Sequence, residues 1–139
     1  MEKSLKSNYK LSALWLFILL NIIFRDIHQM TMKSHLEMLL TGVYNGTEVT
    51  EELMLLGGIL VEIPIAMFLF SLLLKRKWNR VLNMVSAVLT VGVLLAEPPS
   101  DMDDTFFKVI EFFAVGAIAW IAWKWKGASE LSTTQRITL

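Results

Sequence analysis

Apolar residues along this chain are gathered into four long runs that alternate with short polar segments. Each run approaches the length of about 20 residues that a helix needs to cross the hydrocarbon core of a membrane. The runs are Leu11 to Ile27, Leu53 to Leu74, Val81 to Ala96, which is short and could extend through Asn79 and Arg80, and Thr105 to Trp123. The pattern therefore predicts an all-α fold, a membrane-spanning antiparallel four-helix bundle.

Composition favours a single membrane domain. The chain has 139 residues, of which 55% are hydrophobic, and its mean hydropathy is +0.54. We expect one transmembrane domain over residues 1–126, followed by a polar, disordered cytoplasmic tail over residues 127–139. The 13 basic and 13 acidic residues cancel, so no basic field indicates nucleic acid. The chain contains no cysteine, which excludes disulfides, cysteine-ligated metal centres and thiol redox chemistry.

The distribution of charge indicates the orientation in the membrane. Lysine and arginine are concentrated before the first run, between the second and third, and after the fourth, whereas the other two connections are acidic. Because cytoplasmic loops carry the positive excess, we expect a multi-pass membrane protein with both termini inside. A cleaved secretory signal is the alternative for the N-terminus, but the run ends in Phe24-Arg25-Asp26 and lacks a small-residue cleavage site.

The first external connection is long for a helical hairpin. Its leucines have helical spacing and predict a short amphipathic helix over Met32–Leu40, which is expected to stop near Gly42. Asn45-Gly46 predicts a turn. We expect Thr47 or Thr50 to cap the start of the second span. Asp101 to Asp104 are expected to begin the fourth span, where carboxylates suit the helix dipole.

Polar and small residues within each run fall on one side of the predicted helix. Each residue advances about 100° around a helix, so polar residues within a narrow arc indicate a face turned away from lipid. The four faces are Asn21, Arg25 and His28; Gly58, Glu62 and Ala66; Asn79, Asn83, Ser86, Thr90 and Glu97; and Asp104, Lys108 and Glu111. We expect these faces to meet in the bundle core and to form a polar cavity that opens outward.

Glu62 is the central residue of this prediction. It lies in the middle of the second run, where a charged group costs free energy and therefore tends to face the bundle interior. We expect it near the membrane midplane, converging with Arg25 and Glu111, and beside a helix kink at Pro64. The predicted ligand-binding residues are Asn21, Arg25, His28, Glu62, Lys108 and Glu111, with Asn83, Ser86 and Thr90 as polar lining.

Counting charges suggests what such a cavity would hold. The charged residues in the outer half of the predicted spans are two cations, Arg25 and Lys108, and three carboxylates. The carboxylates are Asp26, Glu62 and Glu111. One buried carboxylate is left over, and it would hold a proton or recruit a cation. The sequence therefore predicts binding or transport of a small polar or ionic ligand, with sensitivity to protons or cations.

Other interpretations stay open. The charges could serve only to fix helix packing, with Lys108 paired to Glu111 and Arg25 bridging to Glu62, in a non-enzymatic scaffold or accessory subunit. A membrane enzyme with Glu62, Glu111 or His28 as acid or base is a weaker alternative. We assign no catalytic residue, metal site or cofactor, because haem would need histidines on facing helices and the other three spans contain none. Membrane lipid is an expected partner, nucleic acid is not, and a homo-oligomer or larger membrane complex is left open.

Three stretches resemble a known family. They are Leu14-Trp15-Leu16-Phe17 with Asn21 and Phe24-Arg25-Asp26; Glu62-Ile63-Pro64-Ile65-Ala66-Met67; and Ile121-Ala122-Trp123-Lys124-Trp125. They resemble a family of small bacterial four-span membrane proteins of unknown function and, more distantly, the DoxX-like membrane proteins. The resemblance covers the chain to about Trp125 and implies a bacterial inner-membrane protein with four spans. It implies no activity, and the glycine-rich arginine motif of the DoxX-like proteins has no match at the start of the first span.

Overall fold

Five helices and one small hairpin make up the described part of the chain. The structure, a computed structural model, describes residues 2–44, 46–96, 99 and 101–125. The elements are α1 (Glu2–Gln29), α2 (Lys33–Leu40), β1 (Val43–Tyr44), β2 (Thr47–Glu48), α3 (Glu51–Leu73), α4 (Arg76–Ala96) and α5 (Met102–Lys124). Four of the helices, all except α2, are long and apolar enough to cross a membrane. The predicted all-α bundle with four spans is confirmed.

The four long helices form a ring in which each one packs against two neighbours. α1 contacts α3 and α5, and α4 contacts the same two helices. We call the end of the bundle with the α3–α4 connection the Lys75 end, and the end where α5 begins the Asp101 end. The apolar core lies toward the Lys75 end and includes Leu11, Trp15, Ile18, Val115 and Ile118.

Local signals set the ends of several helices. The side chain of Thr50 accepts a hydrogen bond from the backbone N–H of Leu53 at 3.3 Å and so caps α3. Asp101 caps α5 in the same way, accepting from the N–H of Asp104 at 2.8 Å. Gly42, with φ of 69°, follows α2 in the left-handed conformation that glycine adopts without strain. These three predictions from the sequence are confirmed.

Some details differ from the sequence prediction or lie outside the described residues. α4 begins at Arg76, so the third span includes the polar residues before Val81 and is not short. The connection after α2 contains an antiparallel two-residue ladder, β1 with β2, which had not been predicted. Asn45 of the predicted turn, Glu97 and the predicted disordered tail at 127–139 lie outside the described residues.

α3 packs against the bundle along only part of its length. Its buried residues are Pro64, Met67 and Ser71, all in the half nearest the Lys75 end. Residues 51–59, more than two turns at the Asp101 end, are exposed on every side. The helix continues through Pro64 without interruption, and the bend expected there stays a prediction. The half of α3 nearest the Asp101 end is therefore left uncovered by its own bundle.

Candidate functional site

A buried hydrogen-bond network joins α1, α3 and α4 near the Lys75 end. The indole N–H of Trp15 donates to Asn83 Oδ1 at 2.7 Å, and Asn83 Nδ2 donates to Asn79 Oδ1 at 2.6 Å. Asn79 Nδ2 donates in turn to the carbonyl oxygen of Ser71 at 2.7 Å. All four residues are fully buried. Because lipid offers these groups no partners, the network favours one packing of the three helices.

The polar face of α4 continues toward the Asp101 end. Ser86 and Thr90 are both buried, and Thr90 Oγ1 donates to the carbonyl of Ser86 at 2.8 Å. With Asn83, they face the bundle interior as the helical spacing of the sequence had indicated. Their hydroxyl groups therefore add polar atoms to the interior between the two ends of the bundle.

A cluster of charged side chains lies between α1 and α5 near the Asp101 end. Arg25 NH1 lies 3.4 Å from Glu111 Oε2, and Arg25 Nε lies 3.7 Å from Asp104 Oδ1 and 3.8 Å from Asp26 Oδ1. Lys108 Nζ lies 3.4 Å from Asp104 Oδ2. We call these five residues the Arg25 cluster. It brings together three of the predicted ligand-binding residues, Arg25, Lys108 and Glu111.

Glu111 is the deepest member of the Arg25 cluster. It lies nine positions after the start of α5 at Met102, which corresponds to roughly 14 Å along the helix. Its side chain is 0% exposed, whereas that of Arg25 is 12% exposed. Glu111 Oε1 is buried and has no hydrogen-bond partner among the described residues. One oxygen of this carboxylate thus faces Arg25, and the other is available for a further donor or cation.

Asn21 and His28 line a groove at the side of the bundle. The groove has a volume of about 390 Å³ and is lined by Phe17, Leu20, Asn21, Phe24, His28 and Phe107. Asn21 Nδ2 donates to the carbonyl of Phe17 at 2.8 Å, within its own helix. His28 Nδ1 lies 2.5 Å from Asp103 Oδ2 at the Asp101 end. The groove is largely apolar, and its lining includes none of the five residues of the Arg25 cluster.

The predicted convergence of Glu62 with Arg25 and Glu111 is wrong. Glu62 is exposed, and no hydrogen bond or ion pair joins it to another described residue. Two residues correspond to about 200° around a helix, so Glu62 lies opposite the buried Pro64 and points away from the bundle. Lys108 Nζ contacts Asp104, and the Arg25 cluster, which does not include Glu62, contains two cations and three carboxylates. The ligand-binding role of the six predicted residues stays a prediction.

Sequence reasoning missed three residues that the structure places among these contacts. Asp104 had been assigned to the polar face of α5 but not to the site, although its spacing from Lys108 is that of an intrahelical ion pair. Ser71 lies one turn beyond Met67 on the buried side of α3, a spacing that could have identified it. Nothing in the sequence singles out Trp15 as the donor to Asn83, because that contact depends on how the bundle places α1 and α4 diagonally opposite each other.

The fold, the buried hydrogen-bond network and the Arg25 cluster together define the class of protein. Four apolar helices with buried amides and charges between them make the chain a multi-pass membrane protein with a polar interior. Within the described ranges, no group of three His, Asp or Glu side chains is arranged to hold a metal ion.

The chain belongs to a family of unknown function, DUF6326, whose model matches residues 1–132. A search of curated proteins found no match. A search of solved structures also found none.

Proposed function

We propose that this protein binds a proton or a small cation at the Arg25 cluster, as a binding or transport protein of the membrane. The observation that carries the proposal is Glu111, a fully buried carboxylate with one oxygen that has no hydrogen-bond partner among the described residues. A native protein satisfies most buried polar atoms, so an unsatisfied one at membrane depth is a candidate for ligand contact.

The charge balance of the cluster supports the same proposal. Its two cations, Arg25 and Lys108, lie near three carboxylates, those of Asp26, Asp104 and Glu111. The Asp26 side chain is 55% exposed and is partly screened by solvent, but Asp104 and Glu111 are buried. A proton or small cation at Glu111 would balance the surplus negative charge and would use the free Oε1.

We also propose the orientation and location. The Lys75 end carries Lys75, Arg76, Lys77 and Arg80, whereas Asp101, Asp103 and Asp104 lie at the other end. The positive-inside rule then puts the Lys75 end in the cytoplasm and opens the Arg25 cluster toward the outside of a bacterial inner membrane. Fusion of an alkaline phosphatase reporter after Glu48 should be active, whereas fusion after Lys75 should be inactive; the reverse pattern would contradict this orientation.

The test of the binding site is Glu111→Gln, with Glu62→Gln as the matched control. Both variants replace a carboxylate by an amide within a span, but only Glu111 belongs to the Arg25 cluster. Each protein, reconstituted in lipid, is titrated with pH and the infrared band of protonated carboxyl groups is followed. In parallel, thermal unfolding is measured in sodium chloride and in choline chloride at equal ionic strength.

We expect one component of the titrating carboxyl band, or a specific stabilisation by sodium, that Glu111→Gln removes and Glu62→Gln leaves in place. If Glu111→Gln folds normally and changes neither signal, the Arg25 cluster is not a proton or cation site.

The second candidate function is that of a membrane scaffold whose charges only fix helix packing. It is favoured by the position of Arg25, which joins α1 to α5 through two carboxylates of α5 at once. In that case Glu111→Gln should lower stability and leave no ion-dependent signal to lose. A proton- or ion-dependent signal that Glu111→Gln removes favours the binding site, and a loss of stability without such a signal favours the scaffold.

A further inference from the structure

Glu62 is the one acidic residue of α3 beyond its first turn, and its position needs an explanation of its own. It lies 11 residues from the start of the helix at Glu51, which is roughly 16 Å and about half the thickness of a hydrocarbon core. It is exposed on the side of α3 opposite Pro64. A carboxyl group that faces lipid at this depth costs free energy in the isolated protomer. Covering that group would therefore stabilise the protein.

The surface around Glu62 suits close contact with another helix. The residues that share its side of α3, at helical spacing, are Leu55, Gly58, Ile65 and Leu69. We call these four residues and Glu62 the Glu62 stripe. A Cβ atom at Gly58 would meet nothing within 4 Å, so a neighbouring backbone can approach there. Small residues of this kind let membrane helices pack closely, and polar side chains then bond across the interface.

The charged groups available at the depth of Glu62 indicate what covers the Glu62 stripe. The exposed lysines within the described spans are Lys6, Lys10, Lys77 and Lys124, all near the Lys75 end and far from the depth of Glu62. A second copy of the chain in the same orientation therefore offers no lipid-facing cation at that depth. What it does offer is its own Glu62, because a twofold axis normal to the membrane brings identical residues together. A carboxyl group can both donate and accept, so two of them, one protonated, complement each other.

We propose that a second copy of this chain packs against the Glu62 stripe, forming a parallel twofold dimer in which the two Glu62 side chains bond to each other. Within the Glu62 stripe only Glu62 requires a partner, since lipid covers the apolar residues equally well. This dimer is independent of the proposed role of Glu111, which lies inside the protomer on a different helix.

The first test uses the absence of native cysteine, which makes a single introduced cysteine specific. Ile65→Cys lies on the Glu62 stripe, and Val85→Cys is the matched control on α4, at a similar distance from the Lys75 end. Ile65 is 40% exposed and Val85 51% exposed, so both are accessible in the protomer. Each full-length variant is oxidised in native membranes and separated on a non-reducing gel. We expect a dimer band for Ile65→Cys alone; no band, or an equal band for Val85→Cys, would overturn the proposal.

The second test addresses the contact between the two Glu62 side chains. Glu62→Gln keeps a group that donates and accepts, whereas Glu62→Leu removes it. In reconstituted vesicles with donor- and acceptor-labelled protein, energy transfer measures the dimer dissociation constant. We expect Glu62→Gln to retain the dimer and Glu62→Leu to raise the dissociation constant about tenfold, as polar contacts between model membrane helices do. Equal affinity for the two variants would refute the Glu62 contact, and unchanged protomer unfolding shows that both variants fold.

Discussion

Replacing Arg25 by methionine should cost the protein a large part of its stability, because it leaves Glu111 buried without its cation. At the observed 3.4 Å, two unit charges in an effective dielectric of about 20 interact by about 5 kcal/mol. Desolvation cancels part of this attraction in the intact pair, but the variant retains the cost of burying Glu111. Removing one partner of a buried pair typically costs about 3–5 kcal/mol, and we expect Arg25→Met to lower the free energy of unfolding by about 3 kcal/mol.

The assay is unfolding in mixed micelles titrated with sodium dodecyl sulfate, followed by circular dichroism. An exposed pair of similar length supplies the control: Lys33 Nζ lies 3.6 Å from Glu37 Oε1, with side chains 89% and 65% exposed. Lys33→Met should change stability little, since solvent screens that pair. The double variant Arg25→Met with Glu111→Gln should recover most of the loss. If Arg25→Met unfolds like the wild type, or if the double variant recovers nothing, the assigned pairing is incorrect.

Two further predictions concern the buried amides and the helix caps. Asn83→Ala should lower the free energy of unfolding by about 2 kcal/mol, because it leaves the buried N–H of Trp15 without its acceptor. Trp15→Phe removes that donor together with its need for a partner, so it should cost less in the same assay. Asp101→Ala should lower the free energy of unfolding by about 1 kcal/mol, because it removes the acceptor for the N–H of Asp104. Asp101→Asn can still cap and should cost only about a few tenths of a kcal/mol. Equal losses for the two variants would contradict a capping role.

The sequence predicts best the helix faces on which polar residues repeat. On α4, the spacing of Asn79, Asn83, Ser86 and Thr90 defines one side of the helix, and all four are buried. The physical reason is that each of these groups would lack a hydrogen-bond partner in lipid, so the whole face turns inward together. The partner groups cannot be predicted in this way. That Trp15 is the donor to Asn83 follows from the diagonal placement of α1 and α4 in the bundle, which no local sequence pattern predicts.

Glu62 and Glu111 show where the reasoning about membrane charges fails. On α5, Asp104 and Lys108 share a stripe with Glu111, so three residues agree on which side faces inward, and all three are buried. α3 is apolar on every side, so a single carboxylate could not fix its rotation; packing of Pro64, Met67 and Ser71 fixed it instead and turned Glu62 outward. A lone charge in a span therefore indicates that something must contact it, but not whether that contact lies inside the protomer. For this chain the distinction separates two questions: Glu111 is the residue at which to look for a ligand, and Glu62 the residue at which to look for a second copy.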